Sequence, residues 1–278
     1  MESLKEKIVV VTGGAQGIGK GLARACLKRG ARVVITNLDP AVASATVAEL
    51  SEHGPIRAVR CDATDRAAVD DLFDDVWGTE GPVDLAFCNA GAGGMGQILE
   101  TPMKDVHHQF STNLYSAIHM AQSYIPRLVE ANRAGHVMFT GSENSLVLPP
   151  ANADLAMGIY GGTKHALLAV AEWLRYELRD TAVTVSLLMP GPVLTERLAA
   201  TFGALADDPD NPEIRSRFPE HVERTLRERF ISPEECAEIA LRGLAQGLFF
   251  IPTQAYIRDD VDARYREVCA AFDALGLS

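Results

Sequence analysis

The chain has 278 residues, of which 47% are hydrophobic and 23% charged, a composition typical of a globular protein with a buried core. Its formal net charge of -11 argues against a nucleic acid or an anionic membrane as a partner, because both attract cationic surfaces. No apolar run approaches the roughly eighteen residues of a membrane span, and the five scattered cysteines lack the spacing of a metal or redox motif. These features predict a cytoplasmic protein without a metal site.

Short β-branched segments alternate along the chain with longer segments of helical periodicity. Strands are predicted at 7–12, 32–36, 56–61, 83–88, 136–140, 183–189 and 248–251, and helices at 17–29, 41–53, 66–77, 113–132 and 160–179. Strands that alternate with helices of this length form parallel sheets through right-handed crossovers. The sequence therefore predicts an α/β fold, a Rossmann-like doubly wound parallel sheet of about seven strands with helices on both faces.

The whole chain, 1–278, is predicted to form a single domain of this type. Residues 191–230 interrupt the alternation with an irregular stretch rich in Pro, Asp and Arg. So long an interruption within a compact domain is typical of a lid, and we expect it to cover a substrate. Residues 252–278 are predicted to form a C-terminal helical extension.

A glycine-rich turn, TGGAQGIG, directly follows the first predicted strand at 12–19. At a strand–helix junction, glycines allow a tight turn and a close approach of the backbone to phosphate, while the helix N-terminus offers free N–H groups and a positive dipole end. A glycine pattern alone is weak evidence, but its position in the first βαβ unit strengthens it. We therefore expect Gly13, Gln16, Gly17, Ile18 and Gly19 to bind the pyrophosphate of a dinucleotide.

Tyr160 and Lys164 lie four residues apart, on one face of a predicted helix. A tyrosine with a pKa of ~10 is a poor base at neutral pH, and a nearby ammonium favours the phenolate and lowers that pKa. The pair therefore indicates acid–base chemistry, in which Tyr160 takes the proton of a hydroxyl or donates one to a carbonyl. The alternative to an enzyme is a protein that binds a dinucleotide only to sense it. Such a protein would tend to lack one of these two residues.

In their order along the chain, these motifs resemble those of the short-chain dehydrogenase/reductase family in its compact single-domain form. The matching residues are the turn at 12–19, Asp62, Asn89-Ala90-Gly91, Asn113, Ser142, Tyr160, Lys164 and Pro190-Gly191. The resemblance implies that Ser142 hydrogen-bonds the reacting oxygen and that Asn113 orders a water linked to the lysine. It also implies that Tyr160 and Lys164 contact the cofactor, with Lys164 on the nicotinamide ribose, and that the protein assembles as a homodimer or homotetramer.

The remaining cofactor contacts implied by the resemblance follow the ends of successive strands. They are Asp62, Ala63, Asn89, Ala90, Gly91, Pro190, Gly191, Val193 and Thr195. The choice between NAD and NADP is expected at the end of the second strand, where NAD-dependent members carry an acid and NADP-dependent ones often an arginine. Here these positions are Asn37 and Leu38, and Gln16 stands where a basic residue would bind a phosphate. The absence of such a cation favours NAD and leaves NADP open.

The spacing between Ser142 and Tyr160 is eighteen residues, several more than is usual in the family. An insertion within 146–159 is therefore expected beside the substrate. The candidate pocket walls 92–97, 146–159 and 193–205 contribute the apolar side chains Leu146, Leu148, Met157, Leu194, Leu198 and Phe202. The predicted activity is NAD-dependent interconversion of a secondary alcohol and a ketone on a small-to-medium hydrophobic or aromatic substrate. An NADP-dependent carbonyl reductase with the same site is the alternative within enzymes.

Overall fold

The computed structural model describes residues 3–277, which contain one seven-stranded sheet. Its strands are β1 (Ile8–Val11), β2 (Arg32–Asn37), β3 (Ile56–Arg60), β4 (Leu85–Cys88), β5 (Gly135–Thr140), β6 (Val183–Met189) and β7 (Phe250–Pro252). They lie in the order β3-β2-β1-β4-β5-β6-β7, and every pairing is parallel. The predicted doubly wound fold is confirmed, with β4 at the centre of the sheet; the chain proceeds from β1 through β2 to the edge at β3, and then from β4 through β5 and β6 to the other edge at β7.

Helices cover both faces of the sheet. They are α1 (Gly17–Leu27), α2 (Pro40–Leu50), α3 (Arg66–Thr79), α4 (Met103–Phe110), α5 (Ser116–Glu130), α6 (Gly158–Glu177), α7 (Glu196–Asp207), α8 (Pro212–Arg215), α9 (Glu220–Arg229), α10 (Pro233–Ala245) and α11 (Ile257–Ala274). Along β1, Ile8 and Val10 belong to the core beneath α3, α5 and α6, whereas Val9 and Val11 belong to the core beneath α1, α2 and α10. Because side chains of a strand point alternately to the two faces, a strand covered on both faces is apolar throughout.

The helix predicted at 113–132 begins ten residues earlier than expected and consists of three segments. A π-helical turn at Ser111–Tyr115 joins α4 to α5. The prediction missed α4 because the helix has only eight residues and lies at the surface, where it buries only Gln109, so its three apolar residues are too weak a signal. The π-helical turn, a feature often found at functional sites, directs Asn113 into the interior.

The segment 191–230 is helical and not irregular, because it carries α7, α8 and α9. Its residues Phe202, Leu205, Phe218, Val222 and Leu226 form a small apolar cluster with Leu155, from the preceding insertion. The Pro- and Asp-rich sequence of this segment serves short connections and helix starts, such as Pro212 in the first turn of α8. Among the helices of residues 3–277, none is long and apolar enough to cross a membrane.

Candidate active site

A large cleft of about 2180 Å³ runs along the carboxyl ends of the strands. It crosses the point between β1 and β4 at which the chain reverses its direction of progress through the sheet, the position where open α/β sheets bind ligands. Every predicted catalytic or cofactor-binding residue lines this cleft, with the exception of Gly19. The structure thus brings into one cleft residues that are spread along the sequence from Gly13 to Thr195.

In the glycine turn that joins β1 to α1, one glycine is required by its backbone conformation and another by close packing. Gly17 has a φ of 52°, in the left-handed region that favours glycine, at the first residue of α1. Gly19 is buried, and a Cβ there would lie 2.3 Å from the carbonyl oxygen of Gly13 and 2.6 Å from Nδ2 of Asn89. Gly19 therefore allows α1 to pack closely on the turn; it does not line the cleft, and its expected contact with a cofactor stays a prediction.

The N-terminus of α1 already receives an anionic group from elsewhere in the chain. The backbone N–H of Gly17 donates a hydrogen bond of 2.8 Å to Oε2 of Glu196, in the first turn of α7. The side chain of Gln16, the N-cap of α1, forms no hydrogen bond to the helix backbone. A carboxylate bound at this position indicates that the turn suits an anion, as the pyrophosphate of a dinucleotide requires.

Asn89 connects the ends of three neighbouring strands. Its Nδ2 donates to the carbonyl oxygen of Thr12 at 3.1 Å, and its backbone N–H donates to Oγ1 of the same residue at 2.9 Å. Its Oδ1 accepts from the hydroxyl of Thr140 at 3.2 Å, which ties in the end of β5. These bonds fix the floor of the cleft between the glycine turn and the Ser142 loop.

Lys164 lies beneath Tyr160 on α6. Its side chain is only 5% exposed, and Nζ donates a hydrogen bond of 2.8 Å to the carbonyl oxygen of Thr140. The same Nζ lies 5.6 Å from the centroid of the Tyr160 ring. Burial disfavours the ammonium and lowers the pKa of Lys164 to about 8. The amine can therefore gain or lose a proton within the range of pH in which such an enzyme works.

The pKa of Tyr160 moves in the direction opposite to the one expected from the sequence. Burial of the phenol is the largest cause and raises its pKa, a hydrogen bond with Ser142 acts to lower it, and the charge of Glu143 raises it further. The lowering expected from Lys164 is therefore not found in the protein alone, where burial and the carboxylate of Glu143 both raise the pKa of Tyr160.

Ser142 occupies the N-cap of a short 3₁₀ helix, Glu143–Ser145, directly after β5. Its hydroxyl accepts a hydrogen bond of 3.2 Å from the N–H of Asn144, and its own N–H donates to Oγ of Ser145 at 3.1 Å. Ser145 is fully buried and supports this loop from behind. Ser142 is therefore the serine whose hydroxyl faces the cleft beside Tyr160.

Asn113 binds the loop after β4 with both ends of its side-chain amide. Oδ1 accepts from the N–H of Ala92 at 2.8 Å, while Nδ2 donates to the carbonyl oxygen of Ala92 at 2.9 Å and to Oγ1 of Thr163 at 3.1 Å. This amide is consequently engaged with protein atoms. Its expected part in ordering a water next to Lys164 stays a prediction.

The far end of the cleft is formed by the loops after β2 and β3. Oδ1 of Asn37 accepts from the N–H of Asp39 at 2.8 Å, and the carboxylate of Asp39 caps α2 by accepting from the N–H of Ala41 at 2.8 Å. Leu38 is 55% exposed between them. The Asp62 carboxylate accepts from both the N–H and the hydroxyl of Thr64, and these bonds lower the pKa of Asp62.

The predicted apolar walls of the substrate pocket are only partly present. Met157 and Leu198 line the cleft. Leu146 packs against the main core, and Phe202 is buried in the cluster of the 191–230 segment. Leu148 and Leu194 are exposed at the surface and lie outside the cleft lining.

Several polar residues of the cleft were missed by the sequence analysis. Among them are Glu143, Asn152, Asp154 and Glu196. Glu143 directly follows the serine at the end of an apolar strand, and this position was a signal that it would face the site. Glu196 follows Thr195 in a segment expected to be irregular, so nothing local connected it with the glycine turn.

Comparison with known proteins assigns this arrangement to a family. The family model described as short chain dehydrogenase matches residues 7–204. The 1-deoxy-11-beta-hydroxypentalenate dehydrogenase of Streptomyces avermitilis is 33% identical over 268 residues, which cover 95% of this chain and 91% of that protein.

Two solved structures agree with the sequence relatives. A short-chain dehydrogenase/reductase from Burkholderia phymatum, in complex with NAD, has a TM-score of 0.83 at 27% identity and covers 98% of this chain and 97% of its own. The apo form of LigO from Sphingobium sp. has a TM-score of 0.82 at 27% identity and covers 99% of this chain and 92% of its own.

A parallel sheet with a glycine turn and a Tyr–Lys pair at the ends of its strands defines a dinucleotide-dependent class of α/β enzymes. The chain belongs to the short-chain dehydrogenase/reductase family. It is accordingly an oxidoreductase of the alcohol type, and the predicted enzyme class is confirmed.

Proposed function

We propose that the protein transfers a hydride reversibly between NAD and a secondary alcohol or ketone, with Tyr160 as the general acid and base. The observation that carries this proposal is that Tyr160, Ser142 and Lys164 line the same cleft as the glycine turn. NAD, when bound, supplies the hydride acceptor and a positively charged ring. The chain itself supplies an oxygen-binding hydroxyl and a proton-transfer group.

Each of the three side chains has a distinct part in the reaction. The hydroxyl of Ser142 holds the substrate oxygen beside the phenol of Tyr160. In oxidation Tyr160 accepts the hydroxyl proton, and in reduction it donates a proton to the carbonyl oxygen. Nζ of Lys164 lies 5.6 Å from the centroid of the Tyr160 ring, so the ammonium form of Lys164 favours the phenolate by its charge. The raised pKa of Tyr160 favours the protonated phenol, the form that carbonyl reduction requires.

The preference for NAD rests on the groups at the far end of the cleft. Neither Asn37 nor Leu38 brings a cation that could bind a 2′-phosphate, and the nearby carboxylate of Asp39 would repel one. The Burkholderia phymatum structure, similar over nearly the whole chain, holds NAD. An NADP-dependent carbonyl reductase remains the alternative, because Arg60 of β3 lies in register with Asn37 and is a cation that could contact a 2′-phosphate.

The substrate is proposed to be a secondary alcohol or ketone with an apolar body and a polar substituent. Met157 and Leu198 present apolar surface, whereas Asn152 and Asp154 present polar groups in the same part of the cleft. The name of the Streptomyces avermitilis relative describes the dehydrogenation of a hydroxylated compound. Because the cleft has both apolar and polar walls, the proposed substrate class is broader than the hydrophobic or aromatic compounds expected from the sequence.

The direct test is to titrate the purified protein with NADH and with NADPH, following nicotinamide fluorescence. We expect NADH to bind at least about tenfold more tightly, a difference of about 1.4 kcal/mol. The Tyr160→Phe variant should bind NADH normally but lose roughly a hundredfold to ten-thousandfold in turnover of any alcohol found by screening. Tighter binding of NADPH would favour the reductase alternative, and binding of neither dinucleotide would remove the basis of the proposal.

A further inference from the structure

The Ser142 loop contains a buried amide whose oxygen has no hydrogen-bond donor. Asn144 is only 4% exposed, and its Oδ1 forms no hydrogen bond within residues 3–277. A buried acceptor without a donor costs free energy, because it has lost its hydrogen bonds to water and has gained none in return. Buried polar groups in native folds are normally paired, so this exception points to a partner from outside the chain.

Asn144 lies between the two residues proposed to bind and protonate the substrate oxygen. Its backbone N–H donates a hydrogen bond of 3.2 Å to Oγ of Ser142. On the side of α6, its Cβ lies 4.0 Å from the position that a Cβ on Gly161 would occupy, and Gly161 directly follows Tyr160. Asn144 also lines the cleft, as do Ser142 and Tyr160. A ligand held by Ser142 and Tyr160 therefore has Asn144 as a neighbour.

The adjacent polar side chains of the same loop have partners within the chain. Oγ of Ser145 accepts a hydrogen bond of 3.1 Å from the N–H of Ser142. Oε1 of Glu143 accepts one of 2.6 Å from Nδ2 of Asn152, in the insertion, and Oε2 accepts one from the hydroxyl of Tyr256, just before α11. These bonds hold the loop in place and leave the amide as the exception.

The surroundings of the amide indicate the chemistry of the group that it binds. An amide is neutral, and the carboxylate of the adjacent Glu143 disfavours an anionic substituent. The last side-chain torsion of an asparagine has broad minima, so the amide of Asn144 can turn and present either Oδ1 or Nδ2 to the cleft. A hydroxyl group donates to the first and accepts from the second, whereas a hydrocarbon leaves both without a partner.

We propose that Asn144 is a specificity-determining residue, whose amide binds a second hydroxyl group of the substrate close to the carbon that is oxidised. The substrate class is then a diol, or the corresponding hydroxy ketone, with an apolar body facing Met157 and Leu198. This inference deepens the proposed function and rests on the reaction site formed by Ser142 and Tyr160. The free protein keeps an unpartnered acceptor, and the bound substrate satisfies it.

The test measures binding in a complex that does not react. NADH and an alcohol are both reduced, so the protein–NADH complex binds the alcohol without turnover, and nicotinamide fluorescence follows the titration. The probes are pairs that differ by one hydroxyl group: cyclohexanol with vicinal cyclohexanediol, and indanol with vicinal indanediol, each diol as separate isomers. We expect one diol isomer to bind at least about tenfold more tightly than its mono-alcohol, because a site that hydrogen-bonds a hydroxyl rejects the analogue lacking it.

Two substitutions of similar size separate hydrogen bonding from shape. Asn144→Leu removes the polar group, and the ratio of the two dissociation constants should fall to about one or below. Asn144→Asp keeps an Oδ1 acceptor and should retain the preference for the diol. In the free protein, Asn144→Leu should also raise the midpoint of thermal unfolding by roughly 2–4 °C, because it leaves no buried acceptor without a donor.

Equal affinity of the parent protein for the paired alcohols, or binding of neither, would overturn the inference. A preference for the diol that survives in Asn144→Leu would do the same. An unchanged midpoint in this variant would contradict it as well, since Oδ1 would then have a partner in the free protein. If Asn144→Leu does not fold, Asn144→Ala takes its place, and the comparison in the parent protein needs neither variant.

The two proposals fail in distinguishable ways. Undiminished turnover by Tyr160→Phe would overturn the acid–base function, whereas the preference for diols is measured without turnover. A Tyr160-dependent enzyme that binds the paired alcohols equally would keep its proposed reaction and lose only the diol specificity.

Discussion

The carboxylate of Glu196 accepts a hydrogen bond of 2.8 Å from the backbone N–H of Gly17, at the N-terminus of α1. Glu196 also lies 3.8 Å from Nζ of Lys20, which forms a closer ion pair of 2.6 Å with Glu49. The first turn of a helix favours an anion, and the pyrophosphate of the proposed cofactor needs the same N–H groups. We therefore expect the carboxylate of Glu196 to compete with the proposed cofactor for the N–H groups of the glycine turn.

Replacement of Glu196 by alanine is expected to strengthen binding of NADH about three- to tenfold, since a helix-terminus interaction contributes roughly 1 kcal/mol. The measurement is a fluorescence titration at low ionic strength, where charge interactions are least screened. Glu220→Ala, a change of the same charge in the first turn of α9, is the matched control and should leave the dissociation constant unchanged. Weaker binding in Glu196→Ala would show instead that the carboxylate supports the turn.

Substitution of the buried lysine by methionine is expected to stabilise the fold near neutral pH while abolishing turnover. Folding lowers the pKa of Lys164 from 10.5 to about 8, so the unfolded chain binds more protons between these values and native stability rises with pH across that window. Below pH ~8 the buried ammonium costs up to about 3 kcal/mol. Loss of the hydrogen bond to Thr140 offsets part of the gain in Lys164→Met.

Urea unfolding at pH ~7 and pH ~10 tests the prediction for Lys164, because the window lies between the two pKa values. The free energy of unfolding of Lys164→Met should exceed that of the parent protein most at pH ~7, and the difference should be smaller at pH ~10. Lys28→Met, at an exposed position, controls for the loss of a positive charge. An advantage that is equal at both pH values would contradict the lowered pKa of Lys164.

Local patterns in the sequence were sufficient to predict the sheet and to identify candidate site residues at the ends of its strands. The uniformly apolar β1 and the four-residue spacing of Tyr160 and Lys164 depend only on neighbours in the chain. The contact of Glu196 with Gly17 joins residues 179 positions apart, and that of Glu143 with Tyr256 spans 113 positions. Such contacts depend on how the helices of the 191–230 segment and the C-terminal segment pack, which no local periodicity encodes.

The same limit explains the errors in the substrate walls. Phe202 has the apolar spacing expected of a pocket residue, but it packs against Phe218 with ring centroids 5.3 Å apart. A lid with a core of its own and a lid that exposes its apolar residues to substrate have the same composition. Only the tertiary contacts distinguish them.

The cofactor preference should respond to charge at the end of β2. Asn37→Asp introduces the acid that would accept ribose hydroxyls and repel a 2′-phosphate, and it retains the oxygen that accepts from Asp39. We expect the ratio of the NADPH to the NADH dissociation constant to rise about tenfold, which corresponds to about 1.4 kcal/mol. Leu38→Arg, at an exposed position in the cleft, should change this ratio in the opposite direction. Equal ratios in both variants would show that the adenosine end binds elsewhere.

Gly19 and Gly203 offer a matched pair that separates a packing glycine from one that any residue could replace. A Cβ at Gly19 would lie 2.3 Å from the carbonyl oxygen of Gly13, a backbone atom that cannot move without distorting the turn. Gly19→Ala should therefore lower the free energy of unfolding by about 1–3 kcal/mol, the usual cost of overpacking. Gly203, in the interior of α7, has no atom within 4 Å of the corresponding position.

Gly203→Ala is accordingly expected to be neutral or to stabilise the protein by roughly 0.5–1 kcal/mol, because alanine restricts the unfolded chain and has the higher helix propensity. Thermal unfolding of the two variants beside the parent protein makes the comparison. A titration of each variant with NADH shows whether the turn still binds the dinucleotide. Equal stability of Gly19→Ala and Gly203→Ala would mean that α1 can shift away from the glycine turn, and the close packing of Gly19 on Gly13 and Asn89 would then not be required for the fold.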